Sequence, residues 1–221
     1  MKQSVVKWLQ SLKFIVKSEF TSPWGICDLV GLQFNESHVS HRLKLGQTRS
    51  ITSLTRAALL MLIPDVETRR SISLSHLARE CSPAVPPEIV ENEARRLVAD
   101  GFVICESGER LQKVNGWMPL QKRFIAVELK LSRVEEAMQQ AENNFGFADE
   151  SYVALPENLA ERTAGKPSRR DVFKEIGIGL IAVAPESSKI LIPSAQRFSE
   201  KSSAVQLYSV EKFWRTCPKG N

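Results

Sequence analysis

The apolar residues of this 221-residue chain change their spacing twice, and this change constrains the fold more than any other feature. Three segments have strand-like patterns, at residues 14–20, 26–34 and 124–131. Between the second and third of these, residues 51–116 place apolar side chains three and four positions apart, as amphipathic helices do. The sequence therefore predicts a mainly helical segment inserted between strands of one sheet.

The flanking stretches, residues 1–50 and 117–221, predict an α/β domain. Beyond residues 124–131, helical spacing gives way to an apolar run at 152–155, and further helical spacing leads to another run at 179–184. Strands that alternate with helices form a sheet with the helices packed on its faces. We expect a mixed sheet flanked by helices, interrupted in the chain by the inserted segment.

Three helices and a hairpin are predicted for residues 51–116. Pro64 ends the first helix, Ser73 is an N-cap for the second, and Pro86 and Pro87 open the third. A two-stranded hairpin around a glycine-containing turn follows. The stretch ISLSHLARECSPAVPPEIVENEARRLVADGFVI resembles a winged helix-turn-helix module, which implies contact with DNA, with a protein partner or with a second copy of the chain.

Charge is unevenly distributed between these parts. Residues 51–116 carry eight basic and nine acidic residues, whereas the rest of the chain carries 22 basic and 16 acidic residues. The whole chain has a formal net charge of +5. A polyanionic partner is therefore expected to be attracted by surfaces outside the middle segment.

Two apolar strands are interrupted by acidic residues. Glu128-Leu129-Lys130 is the one place in the chain where a lysine follows an acidic residue at the second position, and in a strand this spacing puts both side chains on one face. Asp28 interrupts the apolar run at 26–31 in the same way. Acidic and basic residues at this spacing also occur on solvated strands, so the pattern alone leaves that alternative open.

Asp28, Glu128 and Lys130 together suit phosphodiester hydrolysis. Mg²⁺ takes hard oxygen ligands, typically one or two carboxylates with waters and phosphate oxygens, so Asp28 and Glu128 are candidate ligands for Mg²⁺ or Mn²⁺. A metal in such a site neutralises phosphate charge and lowers the pKa of water. Lys130 is a candidate for orienting the attacking water or for stabilising developing negative charge.

The stretches WGICDLVGLQF, RFIAVELKLSRVEEAMQQA and ESYVALP resemble the PD-(D/E)XK, or restriction-endonuclease-like, superfamily of nucleases. In that family an acid on one strand, an acid-x-lysine on the next and a glutamine on the following helix line the active site. The resemblance implies catalytic roles for Asp28, Glu128, Lys130 and Gln140, and an additional acidic role for Glu19. It also implies DNA as the substrate.

The resemblance covers residues 1–48 and 117–221, and it departs from the family in one spacing. Asp28 and Glu128 are 100 positions apart, further than is usual in the family. Without the 66 residues of the segment 51–116, the separation falls to 34. Extra chain of this kind is tolerated in a strand connection.

A basic cluster lies near the helix that is predicted around residues 171–176, before the last core strand of the sheet domain. Its members are Lys166, Arg169, Arg170 and Lys174, and they are candidates for contacts with DNA phosphates, with a solvated helix face as the alternative.

The third helix of the middle segment also carries Arg95 and Arg96 as candidate DNA contacts. In a helix-turn-helix protein, the beginning of this helix enters the major groove. Here that end carries Glu88, Glu91 and Glu93, which DNA phosphates repel. Protein contact or homodimerisation through the segment therefore remains open beside DNA binding.

The remaining features predict a cytoplasmic protein with no membrane association. No apolar run approaches the roughly 18 residues of a membrane span, and the four cysteines are scattered without a metal-binding or disulfide pattern. The expected function is Mg²⁺-dependent DNA cleavage. A non-catalytic DNA- or protein-binding regulator and an assembly subunit without a nucleic-acid role are the alternatives.

Overall fold

The first of two compact units in the computed structural model is a sheet with helices packed on it, built from Met1–Phe34 and Gln121–Lys201. The structure describes residues 1–114, 118–196 and 203–217 of the chain. The elements of this unit are α1 (Lys2–Ser11), β1 (Ile15–Ser22), β2 (Gly25–Phe34), β6 (Gln121–Leu129), α6 (Val134–Asn144), β7 (Glu150–Pro156), α7 (Glu157–Gly165), α8 (Pro167–Ile176), β8 (Gly179–Val183) and β9 (Ser188–Ile192).

The sheet has six strands in the order β1-β2-β6-β7-β8-β9. Strands β6, β7 and β8 run parallel, while the pairs β1 with β2, β2 with β6 and β8 with β9 are antiparallel. The two flanks of the chain therefore share one mixed sheet, as their patterning predicts. Strand β2 meets β6 along a register in which Leu29 pairs with Val127.

Both faces of the sheet are covered by helices. Val5 and Leu9 of α1 pack with Leu29 and Val127 on one face. On the other face, α6, α7 and α8 bury apolar residues against the alternate side chains of β7 and β8. Successive side chains of a strand point to opposite faces, so Glu128, next to Val127, lies on the face covered by α6.

The second compact unit comprises Asn35–Leu120 with Ser202–Asn221. Its core contains buried residues from α3, α4, α5, the hairpin and α9. Three short strands form its sheet, in the order β3-β5-β4. Its elements are α2 (Glu36–Lys44), α3 (Leu54–Leu62), β3 (Ile72–Ser73), α4 (Leu74–Cys81), α5 (Pro87–Ala99), β4 (Val103–Glu106), β5 (Arg110–Lys113) and α9 (Ala204–Arg215).

The residues predicted to begin or end helices in this unit do so in the structure. The Ser73 side chain accepts a hydrogen bond from the backbone N–H of His76 and begins α4. Pro87 is the first residue of α5 and Asp100 is its C-cap.

The second unit contains more of the chain than the predicted segment 51–116, because two helices outside that segment, α2 and α9, belong to it. The guanidinium of Arg42 in α2 is paired with the carboxylate of Glu211 in α9, and both side chains are buried. Leu207 of α9 also packs in the core of this unit. Neither helix was expected there, since the sequence carries no local sign that residues so far apart meet.

Among the described residues, no helix has the length and apolar character needed to cross a membrane.

Candidate active site

Glu128 stands near the end of β6 and is almost fully buried, with 3% of its surface exposed. Its Oε1 accepts a hydrogen bond of 2.8 Å from Nδ2 of Asn144 on α6. Burial raises the pKa of Glu128, the Asn144 hydrogen bond lowers it, the charge of Asp28 raises it and that of Lys130 lowers it, and the net shift is upward. Asp28 and Lys130 are thus close enough to act electrostatically on Glu128.

Asp28 lies at a point in β2 where the regular alternation of side chains between the two faces of the sheet is interrupted. Cys27 and Leu29 would share a face in a regular strand. Instead, Cys27 Sγ lies 3.7 Å from Asn144 Nδ2, while Leu29 packs in the core on the α1 face. Between them, Asp28 Oδ2 accepts a hydrogen bond of 2.7 Å from the backbone N–H of Leu129. This bond holds the Asp28 carboxylate at the end of β6.

Lys130 follows directly after β6. Its backbone N–H donates to the carbonyl of Ala154 on β7, and its Nζ lies 3.5 Å from Oε1 of Glu136 on α6. The Lys130 side chain is 19% exposed. Since Glu128 also contacts α6, the glutamate and the lysine share one face of the sheet, as their spacing predicts.

Gln140 belongs to the stripe of α6 that meets these residues. Glu136, Gln140 and Asn144 are spaced four apart, so they lie on one side of the helix. Glu136 contacts Lys130 and Asn144 contacts Glu128, which puts Gln140 on the stripe between the two contacts. Gln140 Oε1 is buried and has no hydrogen-bond partner among the described residues. A buried amide oxygen without a partner is costly and is an available acceptor or ligand.

Glu19 is not brought into this cluster. The pairs on either side of it in the ladder, Ser18 with Leu29 and Phe20 with Cys27, put it across from Asp28. However, its side chain is 77% exposed and pairs with Lys2 at 3.6 Å.

Asn144 is the residue of the site that sequence analysis missed. Ala137, Ala141 and Asn144 follow the spacing of the buried face of α6, and all three are buried. The available signal was a polar residue at a position where this spacing calls for an apolar one.

Cys27 is 1% exposed, and its Sγ donates to the Leu29 carbonyl at 3.2 Å. Burial and the nearby charge of Glu128 raise the pKa of the Cys27 thiol well above its ordinary value. Cys27 therefore remains a neutral thiol beside the carboxylates.

The basic cluster lies on α8, with Lys166 at the junction between α7 and α8. Lys166, Arg170 and Lys174 are exposed, and Arg169 forms an ion pair with Glu135 of α6. Their contact with DNA stays a prediction.

The arginines of α5 are engaged within their own helix. Arg95 pairs with Glu91, and Arg96 pairs with Glu93 at 3.0 Å. Their positive charge is therefore largely balanced locally, and their predicted contact with DNA remains untested.

The donor set fits a hard divalent cation. Asp28 and Glu128 supply carboxylate oxygens from adjacent strands, and burial together with the nearby charge of Asp28 raises the pKa of Glu128. A Mg²⁺ ion requires no more than one or two protein carboxylates, with water and substrate completing its shell. Within the described ranges, no group of three or more His, Cys, Asp or Glu side chains is arranged to hold a metal.

Comparison with known proteins gives little to set beside this geometry. No family model matches the chain, and no curated protein matches it. Among solved structures, the chain is similar to a protein of unknown function from Silicibacter pomeroyi, with 14% sequence identity and a TM-score of 0.28. The match covers 55% of this chain and 82% of that one.

Proposed function

We propose that this protein is a Mg²⁺-dependent DNA endonuclease of the PD-(D/E)XK type. The observation that carries the proposal is the buried Glu128, which lies beside a second carboxylate, Asp28, and a lysine, Lys130, at the end of β6. Burying a carboxylate without a full set of partners is unfavourable. A bound cation would remove that cost.

The order of the elements supports the family resemblance. An acid on β2, the Glu128-Leu129-Lys130 triplet on the adjacent β6 and a glutamine on the following α6 succeed one another in the sheet unit. The resemblance implies this arrangement. We assign the same restriction-endonuclease-like fold to the sheet unit as part of the proposal.

The helical unit supports a winged-helix assignment. Its middle part runs helix α3, strand β3, helices α4 and α5, and the hairpin β4–β5. Strand β3 pairs with β5 to make a three-stranded sheet beside the helices. In the proposed enzyme this module contacts DNA or a partner protein.

Each residue of the site has a defined part in the reaction. Asp28 and Glu128 would hold the cation, and the backbone N–H of Leu129 and the amide of Asn144 keep the two carboxylates in position. When bound, Mg²⁺ supplies charge neutralisation at the phosphate and acidifies water. Lys130 orients the attacking water or stabilises charge that develops on the phosphate.

The proposal is tested by cleavage of linear, nicked, branched and single-stranded DNA in Mg²⁺, Mn²⁺ or EDTA. Asp28→Asn and Glu128→Gln should abolish metal-dependent cleavage. Both changes remove charge while keeping an acceptor for Leu129 N–H and for Asn144, respectively. Lys130→Ala should reduce turnover by roughly a hundredfold or more.

Two exposed residues provide matched controls. Glu142→Gln changes a carboxylate on α6, and Lys122→Ala removes a lysine from β6. Both should cleave as the wild type does. Wild-type rates for Asp28→Asn or Glu128→Gln would eliminate this site. Wild-type protein that binds every DNA but cleaves none would favour the non-catalytic regulator.

A further inference from the structure

A cleft of about 560 Å³ in the helical unit is lined by three arginines, Arg49, Arg56 and Arg215. Lys212 joins them through a small adjoining pocket that it shares with Thr52 and Arg215. Arg49 and Thr52 come from the segment before α3, whereas Lys212 and Arg215 come from the last turn of α9. Two distant stretches of sequence therefore bring their positive charges together here.

The charges of this cleft are only partly balanced. Arg56 is 7% exposed and bonded to Glu93 at 2.6 Å, so its role is structural. Asp100 lies 3.4 Å from Arg49 and 3.5 Å from Arg56. The Arg49 side chain is nevertheless 79% exposed, and no ion pair joins Arg215 to a described residue.

The cations also act on one another. Burial and the charge of Arg215 lower the pKa of Lys212. An anion placed between these two groups would reverse the second effect, because an opposite charge favours the protonated lysine.

Hydrogen-bond donors complete the lining. Thr48, Ser50 and Thr52 also line the cleft, and each carries a hydroxyl group. Hydroxyl, ammonium and guanidinium groups are among the side-chain groups that bind phosphate oxygens, and a guanidinium group can do so with two parallel hydrogen bonds. Since Arg49 and Arg215 are exposed, the lining suits a row of phosphates along a surface.

We propose that this cleft binds backbone phosphates of a DNA duplex through Arg49, Lys212 and Arg215. The identity of the polyanion rests on the proposed nuclease function, while the phosphate site rests on the cleft itself. All three cations lie outside residues 51–116, in the part of the chain that carries the positive excess. The helical unit would thus contact DNA through residues that flank its winged segment.

Fluorescence anisotropy with a labelled duplex in EDTA tests the proposal without cleavage. In the double variant Arg49→Ala/Arg215→Ala, the slope of log affinity against log salt should fall by about 2, at about one unit per lost phosphate contact. Affinity at low salt should fall roughly tenfold or more. The control Lys7→Ala/Lys122→Ala removes two exposed basic residues of the sheet unit that belong neither to the cleft nor to the candidate active site, and it should leave both quantities near wild type.

An unchanged salt slope in Arg49→Ala/Arg215→Ala, or an equal loss in the control, would overturn the proposal. Thermal unfolding in the presence of inorganic phosphate provides a second test. Thermal stabilisation of the wild type by phosphate, absent from the double variant and accompanied by unchanged DNA affinity, would show a site for free phosphate and would also overturn it. If the wild type never cleaves DNA but the slope falls as expected, only the nuclease proposal fails.

Discussion

Each unit of the protein buries glutamates, and one from each unit, Glu211 and Glu128, differ in the groups that surround their carboxylates. Glu211 of the helical unit is fully buried, and both of its oxygens accept hydrogen bonds from the guanidinium of Arg42. The backbone N–H of Ile51 adds a third at 2.9 Å. Among the described residues, Glu128 of the sheet unit has only neutral donors, the Asn144 amide and the Cys27 thiol, and a second carboxylate, Asp28, beside it.

Arg42, the partner of Glu211, also has hydrogen-bond acceptors for its buried guanidinium group. The Arg42 guanidinium also donates to the carbonyls of Gln47 at 3.1 Å and Arg49 at 2.7 Å. Its charge lies over the ring of Trp214 at 4.2 Å. A buried charge with every partner in place is a structural element, because nothing is left for a ligand to supply.

The difference separates a structural glutamate from one available for function. Perturbed carboxyl groups with incomplete partners are frequent at functional sites. The contrast between Glu211 and Glu128 therefore predicts opposite responses to the same substitution.

The largest effect is expected for Glu211→Gln. It leaves the Arg42 cation buried without its counter-charge, and breaking a buried pair in this way costs about 3–5 kcal/mol. The free energy of unfolding from urea titration measures the loss, with the exposed Glu88→Gln as the control. A change below about 1 kcal/mol, the usual range for a surface pair, would remove the contrast.

Glu128→Gln should act in the opposite direction in the metal-free protein. A carboxyl group whose pKa is raised by folding binds its proton more tightly in the folded state, so it favours folding at low pH and opposes it as the pH rises through the folded pKa. Glutamine removes this penalty. Thermal unfolding in EDTA should show a higher Tm for Glu128→Gln at pH 8 and a gain that shrinks toward pH 4.

The direction in which Glu128→Gln changes the Tm at pH 8 decides between the two possibilities for Glu128. A Tm that falls at pH 8 on Glu128→Gln would mean that the charged carboxylate is well compensated, as Glu211 is. The exposed Glu142→Gln should show no such trend.

Asn144→Leu should cost about 1.5–3 kcal/mol at pH 8, because it removes the donor to a buried charged group while keeping the volume of the side chain. Its loss should be smaller at low pH, where Glu128 is protonated. Asn143→Leu alters the neighbouring exposed residue and serves as the control. Equal unfolding free energies for the two variants would deny Asn144 its part in holding Glu128.

The smallest effect on stability is expected for Lys130→Ala. Its contact with Glu136 at 3.5 Å is a partly solvated ion pair, and such pairs contribute about 1 kcal/mol or less. Urea titration should therefore give nearly the wild-type unfolding free energy. Loss of cleavage in this variant would then be chemical in origin, whereas strong destabilisation would assign Lys130 a structural role.

The core of the candidate site was predictable because its residues break local patterns. Asp28 and Glu128 interrupt apolar strands, and Lys130 follows at the spacing that keeps it on the Glu128 face. The role of the backbone N–H of Leu129 was not predictable, since the hydrogen bond to Asp28 depends on the change of face within β2. This bond is the reason why Asp28→Asn tests chemistry more cleanly than Asp28→Ala.

The sheet and the hairpin follow from periodicity, but the extent of the helical unit does not. Arg42 and Glu211 are 169 positions apart and each looks like an ordinary charged helix residue in the sequence. Their burial becomes visible only when α2 and α9 are packed on the same core. Glu19 shows the converse: its place across from Asp28 in the ladder was predictable, but its exposed side chain lies outside the cluster.

Titration of the protein with Mn²⁺ at pH 8, followed by calorimetry, tests the central claim most directly. We expect one bound ion in the wild type and in Lys130→Ala. We expect a loss of Mn²⁺ affinity in Asp28→Asn and Glu128→Gln that exceeds the roughly 10- to 100-fold typical of outer-shell partners. Wild-type Mn²⁺ affinity in Glu128→Gln, or no binding by the wild type, would contradict it.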